Sequence, residues 1–434
     1  MRRTDSSSGA TLIPDRRRLR VSLSLLLLLR GLVSCRLSGE AGTAQPATAT
    51  PTATQLPGLQ ISGIPDCPAD VSEPLFDVSP LDLDDFTGII PLGGLNPPSH
   101  TFPTDHIYFF IRREDPSNPV GPAASVPVYA PGHVWITALG SSEHLSADPP
   151  YTDYKIHFAP CRQFQAYYIH VQLLSPELLD QAGPFDESRC STYETGEQVY
   201  RNCEAWGLSI EVEAGTFIGT TGGRAGQNAI DMGAHDARVS PLGYANPSRF
   251  YTNEPSFAPF HVVCPIDYFE PELREVLRDR LGDGLGAFRR TVEPLCGQVE
   301  QDEPGTAQGS WHVGGTTESY PEDPHLALVH DAVDPSVAVF SVGTSIPGLA
   351  PRVYRLVAET TGTVNLDFHL VMPSEEVVCY DSFRTMGMAP EDTLPMIILV
   401  RLADEAILLI ENQDSAGCGS GPWTLSSAAV EFQR

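Results

Sequence analysis

"YKIHFAPCRQFQAYYIHVQLLS", Tyr154 to Ser175, holds two strand-like runs, each rich in aromatic and β-branched residues. Side chains alternate across an extended strand, so His157, set between Ile156 and Phe158, faces away from both. His170 sits in the second run. Similar runs lie on either side: "HIYFFI" (106–111), "VPVYA" (126–130), "HVWITAL" (133–139), "LSIEVE" (208–213) and "TFIGTT" (216–221). Turn residues separate them, which predicts an all-β antiparallel sheet domain.

One helix is predicted downstream. "PELREVLRDRL" (271–281) has Pro271 in its first turn and Leu273, Val276, Leu277 and Leu281 on one side, and reads as a strap across the sheet. A second unit begins near residue 303. Within it "VNLDFHLVM" alternates, placing Val364, Leu366, Phe368 and Leu370 on one face of a predicted strand. "MIILVRLADEAILLIENQ" reads as a hairpin turning at Asp404 and Glu405. The fold class expected is therefore mostly β: a sheet domain with one helix, then a small C-terminal β-sandwich-like domain.

The beginning of the chain reads as a targeting segment. Seven arginines precede or flank the apolar run Val21–Leu29, which is too short to span a bilayer. "LVSC" (32–35) resembles a bacterial lipobox, with Arg30 as a departure, and makes Cys35 the lipidation site. Residues 35–60 repeat Ala, Thr and Pro and read as a tether with too little apolar surface to fold. Residues 61–99, rich in Pro, Leu and Asp, read as a wrapping arm. The expected boundaries are thus signal 1–34, tether 35–60, arm 61–99, first β-domain 100–302 and C-terminal β-domain 303–434.

Charge and cysteines agree with an external address. The chain has 27 basic and 55 acidic residues, and its first 34 residues carry seven Arg and two Asp. The exported part is therefore left with 20 against 53, a formal charge of −33. That acidity repels nucleic acid, so none is expected as a partner. Setting Cys35 aside leaves eight cysteines, an even number suited to disulfides; the expected local pairs are Cys264–Cys296 and Cys379–Cys418. No C-x-x-C pair, P-loop ending, G-x-S-x-G elbow or H-E-x-x-H occurs.

Four pieces follow one another between residues 100 and 236: "PTDHIYFF", "VPVYAPGHVWIT", "YKIHFAPCRQFQAYYIHVQLLS" and "EAGTFIGTTGGRAGQNAIDMGAHD". Their order resembles the lysostaphin (LytM-type) zinc endopeptidases, which cut peptide crosslinks in peptidoglycan. The resemblance implies that His106 matches the first metal-binding histidine and that Asp231 replaces the last one. His170 matches a histidine that orients water or stabilises the transition state, and is the candidate catalytic residue. Phe110 and Ala229 stand where the family has an aspartate and a histidine, and neither binds a metal. His100 and Asp105 are the alternatives for a third ligand, although neighbours on a strand point to opposite faces. His235 reads as a turn cap, and "HDAVD" (330–334) as a solvated acidic loop.

The resemblance with those departures implies a cell-envelope lipoprotein whose peptidase-like domain binds or regulates at the surface, without a cofactor. Its partners would be the membrane, through the lipid anchor, and peptidoglycan or envelope proteins. The alternatives are a working zinc endopeptidase with altered ligands and a structural spacer. Lipidation has a direct test. Cys35→Ala is expected to release the protein into the medium on cell fractionation, and continued membrane partitioning would remove Cys35 from the account.

Overall fold

Alternation along four adjacent strands gives the first domain one apolar and one polar side. The computed structural model describes residues 58–118, 121–195, 198–224, 226–250, 258–389 and 391–434. The targeting segment, Cys35 and most of the tether lie outside these residues. The tether ends earlier than expected. Leu59 is already buried with Ile64 and Ala159, and its amide donates to the Arg162 carbonyl at 2.8 Å.

The first domain contains β1 (Phe86–Ile90), β2 (His106–Ile111), β3 (Val126–Tyr129), β4 (Val134–His144), β5 (Tyr151–Cys161) and β6 (Phe164–Leu174). Then come α1 (Pro176–Ala182), β7 (Cys190–Thr195), β8 (Gln198–Val212), β9 (Phe217–Thr221), β10 (Ala229–Asp236) and α2 (Pro271–Arg278). The sheet runs β1-β2-β10-β6-β5-β4-β8-β7, and β9 pairs with both β3 and β6. All its pairings are antiparallel. Ile107, Phe109, Ile230, Met232, Tyr168, Ile156 and Phe158 point into the core, where Phe76 packs on both Phe164 and Phe269.

Several elements differ from expectation here. The arm contains β1, which pairs with β2, so it is part of the sheet as well as a wrap. Helix α1 was not predicted, although Ser175 caps it through a bond from the Leu178 amide and Pro176 opens it. Helix α2 forms as predicted, yet it buries Leu277 and leaves Val276 40% exposed, so its apolar side is narrower than the sequence suggests.

The second unit is also antiparallel. Its strands are β11 (Gly309–Val313), β12 (Leu326–His330), β13 (Val337–Val342), β14 (Arg352–Val357), β15 (Val378–Tyr380), β16 (Ile397–Asp404), β17 (Ile407–Gln413) and β18 (Val430–Gln433). They run in the order β14-β13-β12-β11-β18-β17-β16-β15. The hairpin of β16 and β17 turns after Asp404, as the sequence indicates. The strand predicted over 364–370 does not form. Asn365 has φ +53°, and Phe368–Leu370 make a short 3-10 turn capped by the Asp367 carboxylate. Phe368 is still fully buried, because the turn aims it at Phe340 and Tyr380.

One aromatic side chain joins the sheets. Phe102, from the loop before β2, packs with Ala327, Val329, Val339 and Val353 and stacks on His325 at 5.4 Å. Four disulfides brace the chain: Cys67–Cys161, Cys190–Cys203, Cys264–Cys296 and Cys379–Cys418. The last two are the pairs expected from the sequence, and the set as a whole indicates an oxidising, extracytoplasmic setting.

The longest crosslink closes 94 residues between the arm and β5. Replacing Cys67 and Cys161 together by alanine is expected to cost about 4–5 kcal/mol through loop entropy. Denaturant unfolding measures the loss, and limited proteolysis should then cut first within residues 58–81. An unchanged midpoint would mean that the arm is held by packing alone.

Candidate functional site

The polar side of the first sheet gathers the ionisable groups. His106, Tyr108 and Phe110 alternate along one face of β2. Across the ladder Gly233 pairs with His106, Asp231 with Tyr108 and Ala229 with Phe110. On its other edge β10 sets Gly233 against Tyr167 and Asp231 against Ile169, and Tyr167 in turn opposes His157. Gly233 is required where it stands: a Cβ there would meet the Tyr167 ring at 2.2 Å, so the phenol lies flat over bare backbone.

His170 reaches this face by a break in regular pairing. Tyr168 and Val171 of β6 oppose Ile156 and Tyr154 of β5, which leaves Ile169 and His170 against Lys155 alone. This bulge coincides with a change of partner, since β6 pairs with β10 up to Ile169 and with β9 from Val171. His170 itself has φ +69°. A left-handed residue other than glycine costs about 1–3 kcal/mol and persists only where its surroundings hold it. Here the Thr221 hydroxyl and the Gln227 amide both donate to the His170 carbonyl, at 2.6 and 2.8 Å. The turned backbone aims the imidazole at β10.

Two imidazoles and three carboxylates then meet. Nε2 of His106 stands 3.5 Å from Asp231 Oδ2, and Nε2 of His170 stands 3.4 Å from the same oxygen. The opposite nitrogen of each ring is held by its own carboxylate. His106 Nδ1 is 2.9 Å from Asp105 Oδ1, and His170 Nδ1 is 2.6 Å from Asp153 Oδ2. The Tyr167 hydroxyl donates to Asp105 at 2.7 Å and steadies it. His106 and Asp231 are only 3% and 2% exposed, whereas the His170 side chain is 43% exposed and opens the site to solvent. His106 Nε2, Asp231 Oδ1 and Asp153 Oδ1 are buried without a hydrogen-bond partner. Each such atom costs about 1–3 kcal/mol.

The electrostatics follow from this crowding. Burial opposes charge on His170, but the Asp153 hydrogen bond and the Asp231 and Asp153 charges outweigh it and push its pKa up to about 9. His106 is also raised: burial lowers it, and Asp231 and Asp105 more than compensate. Burial lifts the Asp231 carboxyl above its usual range, against the pull of both imidazoles. His100 packs its edge on His106 at 5.4 Å and is driven by burial to about 4.

Several expectations need correction. Asp105 does not swing in as a third ligand; it binds Nδ1, the side of His106 that faces away from Asp231. His235 is no turn cap. It lies buried in β10 with Nε2 3.4 Å from Asp105 Oδ2. His157 is neither exposed nor hydrogen-bonded through Nδ1, and packs between Tyr167 and Trp206. "HDAVD" is partly tied down, with His330 3.2 Å from Asp367 and Asp331 bonded to Arg355. Phe110 lies under the Gly284 turn, where a Cβ would meet its ring at 2.4 Å. Asp153 and Tyr167 were missed. Hairpin register alone would have put Tyr167 opposite His157, but the bulge that brings Asp153 to His170 leaves no mark in the sequence pattern.

The second unit also reaches this region. The Phe102 amide donates to Glu322 Oε2 at 2.9 Å. Burial raises the Glu322 carboxyl to about 7, against the Phe102 hydrogen bond and with the Asp105 charge adding to the rise. A folded pKa above the unfolded one means stability present below about pH 4.5 and lost as pH rises through about 7. Glu322→Gln is therefore expected to flatten the fall in stability across that window by about 1–3 kcal/mol in denaturant titrations at several pH values. An identical pH profile in the variant would contradict the assignment.

No family model, curated protein or solved structure matches this chain.

Proposed function

We propose that the chain is an envelope-anchored hydrolase of peptide amides, whose His106, His170 and Asp231 hold a divalent cation. One observation carries this reading: both imidazoles have Nδ1 locked by a carboxylate, so both Nε2 atoms are presented to one buried, incompletely partnered carboxylate. Carboxylate–histidine pairs of this kind orient metal ligands and fix their tautomer. Two imidazoles and a carboxylate also form a donor set that zinc accepts. Around a tetrahedral ion with bonds of roughly 2.0–2.1 Å, neighbouring donors stand roughly 3.3–3.4 Å apart, close to the two spacings at Asp231 Oδ2.

The ligand set differs from that of the lysostaphin-type enzymes that the sequence resembles. His170 takes over a donor position that Phe110 cannot fill. A cation bound here would supply the acidity that makes water a nucleophile toward an amide. Asp105 and Asp153 hold the two rings in place, Tyr167 positions Asp105, and Phe110 with Ala229 closes an apolar wall. The exposed edge of His170 is the side from which a substrate would enter. Cys35 lipidation and the tether would hold this domain near wall peptides. The C-terminal strands, packed around Trp311, Phe340 and Tyr380, read as a sandwich that supports the loop bearing Phe102.

A second reading, ligand binding without turnover, is favoured by one observation. Among the described residues, no group of three or more His, Cys, Asp or Glu side chains stands in an arrangement that could hold a metal ion.

Zinc content separates the two. The exported chain, dialysed against trace zinc, is expected to retain one equivalent, and His106→Ala, His170→Ala or Asp231→Ala to lose it. Asp153→Asn should weaken retention about 10–100-fold. A zinc-free protein, or zinc retained unchanged in these variants, would leave the binding reading in its place.

A further inference from the structure

Next to His170 a glycine turn delivers an arginine onto an aromatic surface. Gly222, Gly223 and Gly226 all have positive φ, and a Cβ on Gly222 would lie 2.1 Å from the Ala124 carbonyl oxygen. The turn is thereby pressed flat on Ala124 and throws Arg224 outward. The guanidinium lies 3.4 Å over the Tyr151 ring. It donates to Gln227 Oε1 at 3.0 Å, and Gln227 in turn donates to the His170 carbonyl. One side chain therefore separates Arg224 from the residue on which the site turns.

The aromatic surface continues outward. Tyr151 stacks on His144 at 4.0 Å, His144 meets Tyr200 edge-on at 5.0 Å, and Tyr200 stacks on Tyr193 at 5.2 Å. Asp153 lies two residues beyond Tyr151 on β5, so this row of rings runs up to the carboxylate that holds His170. Arg224 is half-buried, and among the described residues it forms no ion pair with a carboxylate. That is notable in an exported part with 53 acidic residues and 20 basic ones. A guanidinium stacked on a ring keeps its edge donors in the plane, the geometry that grips a carboxylate with two bonds.

The geometry points to Arg224 and Tyr151 as a carboxylate-binding subsite beside His170, which takes the free carboxylate of a peptide ligand. This rests on the proposed action on peptides for the choice of peptide over an acidic sugar, since a hexuronate carries the same anionic group. The aromatic row would then carry the ligand's neighbouring residues, and the carboxylate would fix its position along the sheet.

The test uses the full exported chain with three probes: acetyl-trialanine, its C-terminal amide and a hexuronate disaccharide, with binding followed by NMR titration. The expected result is binding of the acid about tenfold tighter than the amide, and weaker binding of the disaccharide. Arg224→Gln should abolish the preference for acid over amide without changing the melting temperature. Arg224→Lys, a point charge without the fork, should keep only a small part of it. Equal binding of acid and amide, a preference that survives Arg224→Gln, a stronger response to the disaccharide, or no binding at millimolar concentration would each overturn the inference. Zinc content is measured in the same samples. An acid preference in a zinc-free protein would keep the subsite and remove the cation, whereas zinc retention without the preference would do the reverse.

Discussion

A single left-handed residue organises the polar side of this protein. Where β6 leaves β10 and joins β9, the backbone at His170 cannot follow either ladder, and its carbonyl finds Thr221 and Gln227 instead. Those two bonds offset part of the strain and turn the ring toward Asp231. With φ in the ordinary extended region, the side chain would follow the normal alternation of the strand and the two imidazoles would not meet. Bulges beside functional centres commonly re-aim a side chain in this manner.

The sheet makes that arrangement affordable. One face buries Ile107, Phe109, Ile156, Phe158 and Met232 in a continuous core. The energy of that face, at about 1.5–3 kcal/mol for each large side chain, far exceeds the cost of the unpartnered polar atoms on the other. Rigidity comes from the same source. His106 and Asp231 sit on paired central strands, and positions on such elements are held more closely than positions on loops. The second unit contributes through Phe102 and Glu322, which fasten the loop that leads into Asp105 and His106.

Much of the fold was legible from the chain alone. Strands β2 to β6 and β9, the helix after Pro271 and the β16–β17 hairpin follow from alternation, turn residues and a proline at a helix start. The predicted strand over 364–370 failed because Asp367 competes for backbone hydrogen bonds and Asn365 adopts positive φ, two local effects that hydrophobic alternation does not record. At the site, His106 and Asp231, both singled out in the sequence, lie on one face of the sheet, with His106 Nε2 3.5 Å from Asp231 Oδ2. The approach of His170 to the same carboxylate has no such signal. Its meeting with Asp231 depends on a bulge and a change of strand partner, which are properties of three-dimensional pairing. Asp105 was judged by strand alternation, yet it precedes the first residue of β2 and is free to turn back on its neighbour.

The central proposal is that His106, His170 and Asp231 together hold one divalent cation. X-ray absorption at the zinc edge of the loaded exported chain addresses that proposal directly. The account predicts a shell containing two imidazole nitrogens, with the outer-ring scattering of histidine, together with carboxylate and water oxygens. A shell of oxygen alone, without imidazole scattering, would contradict it.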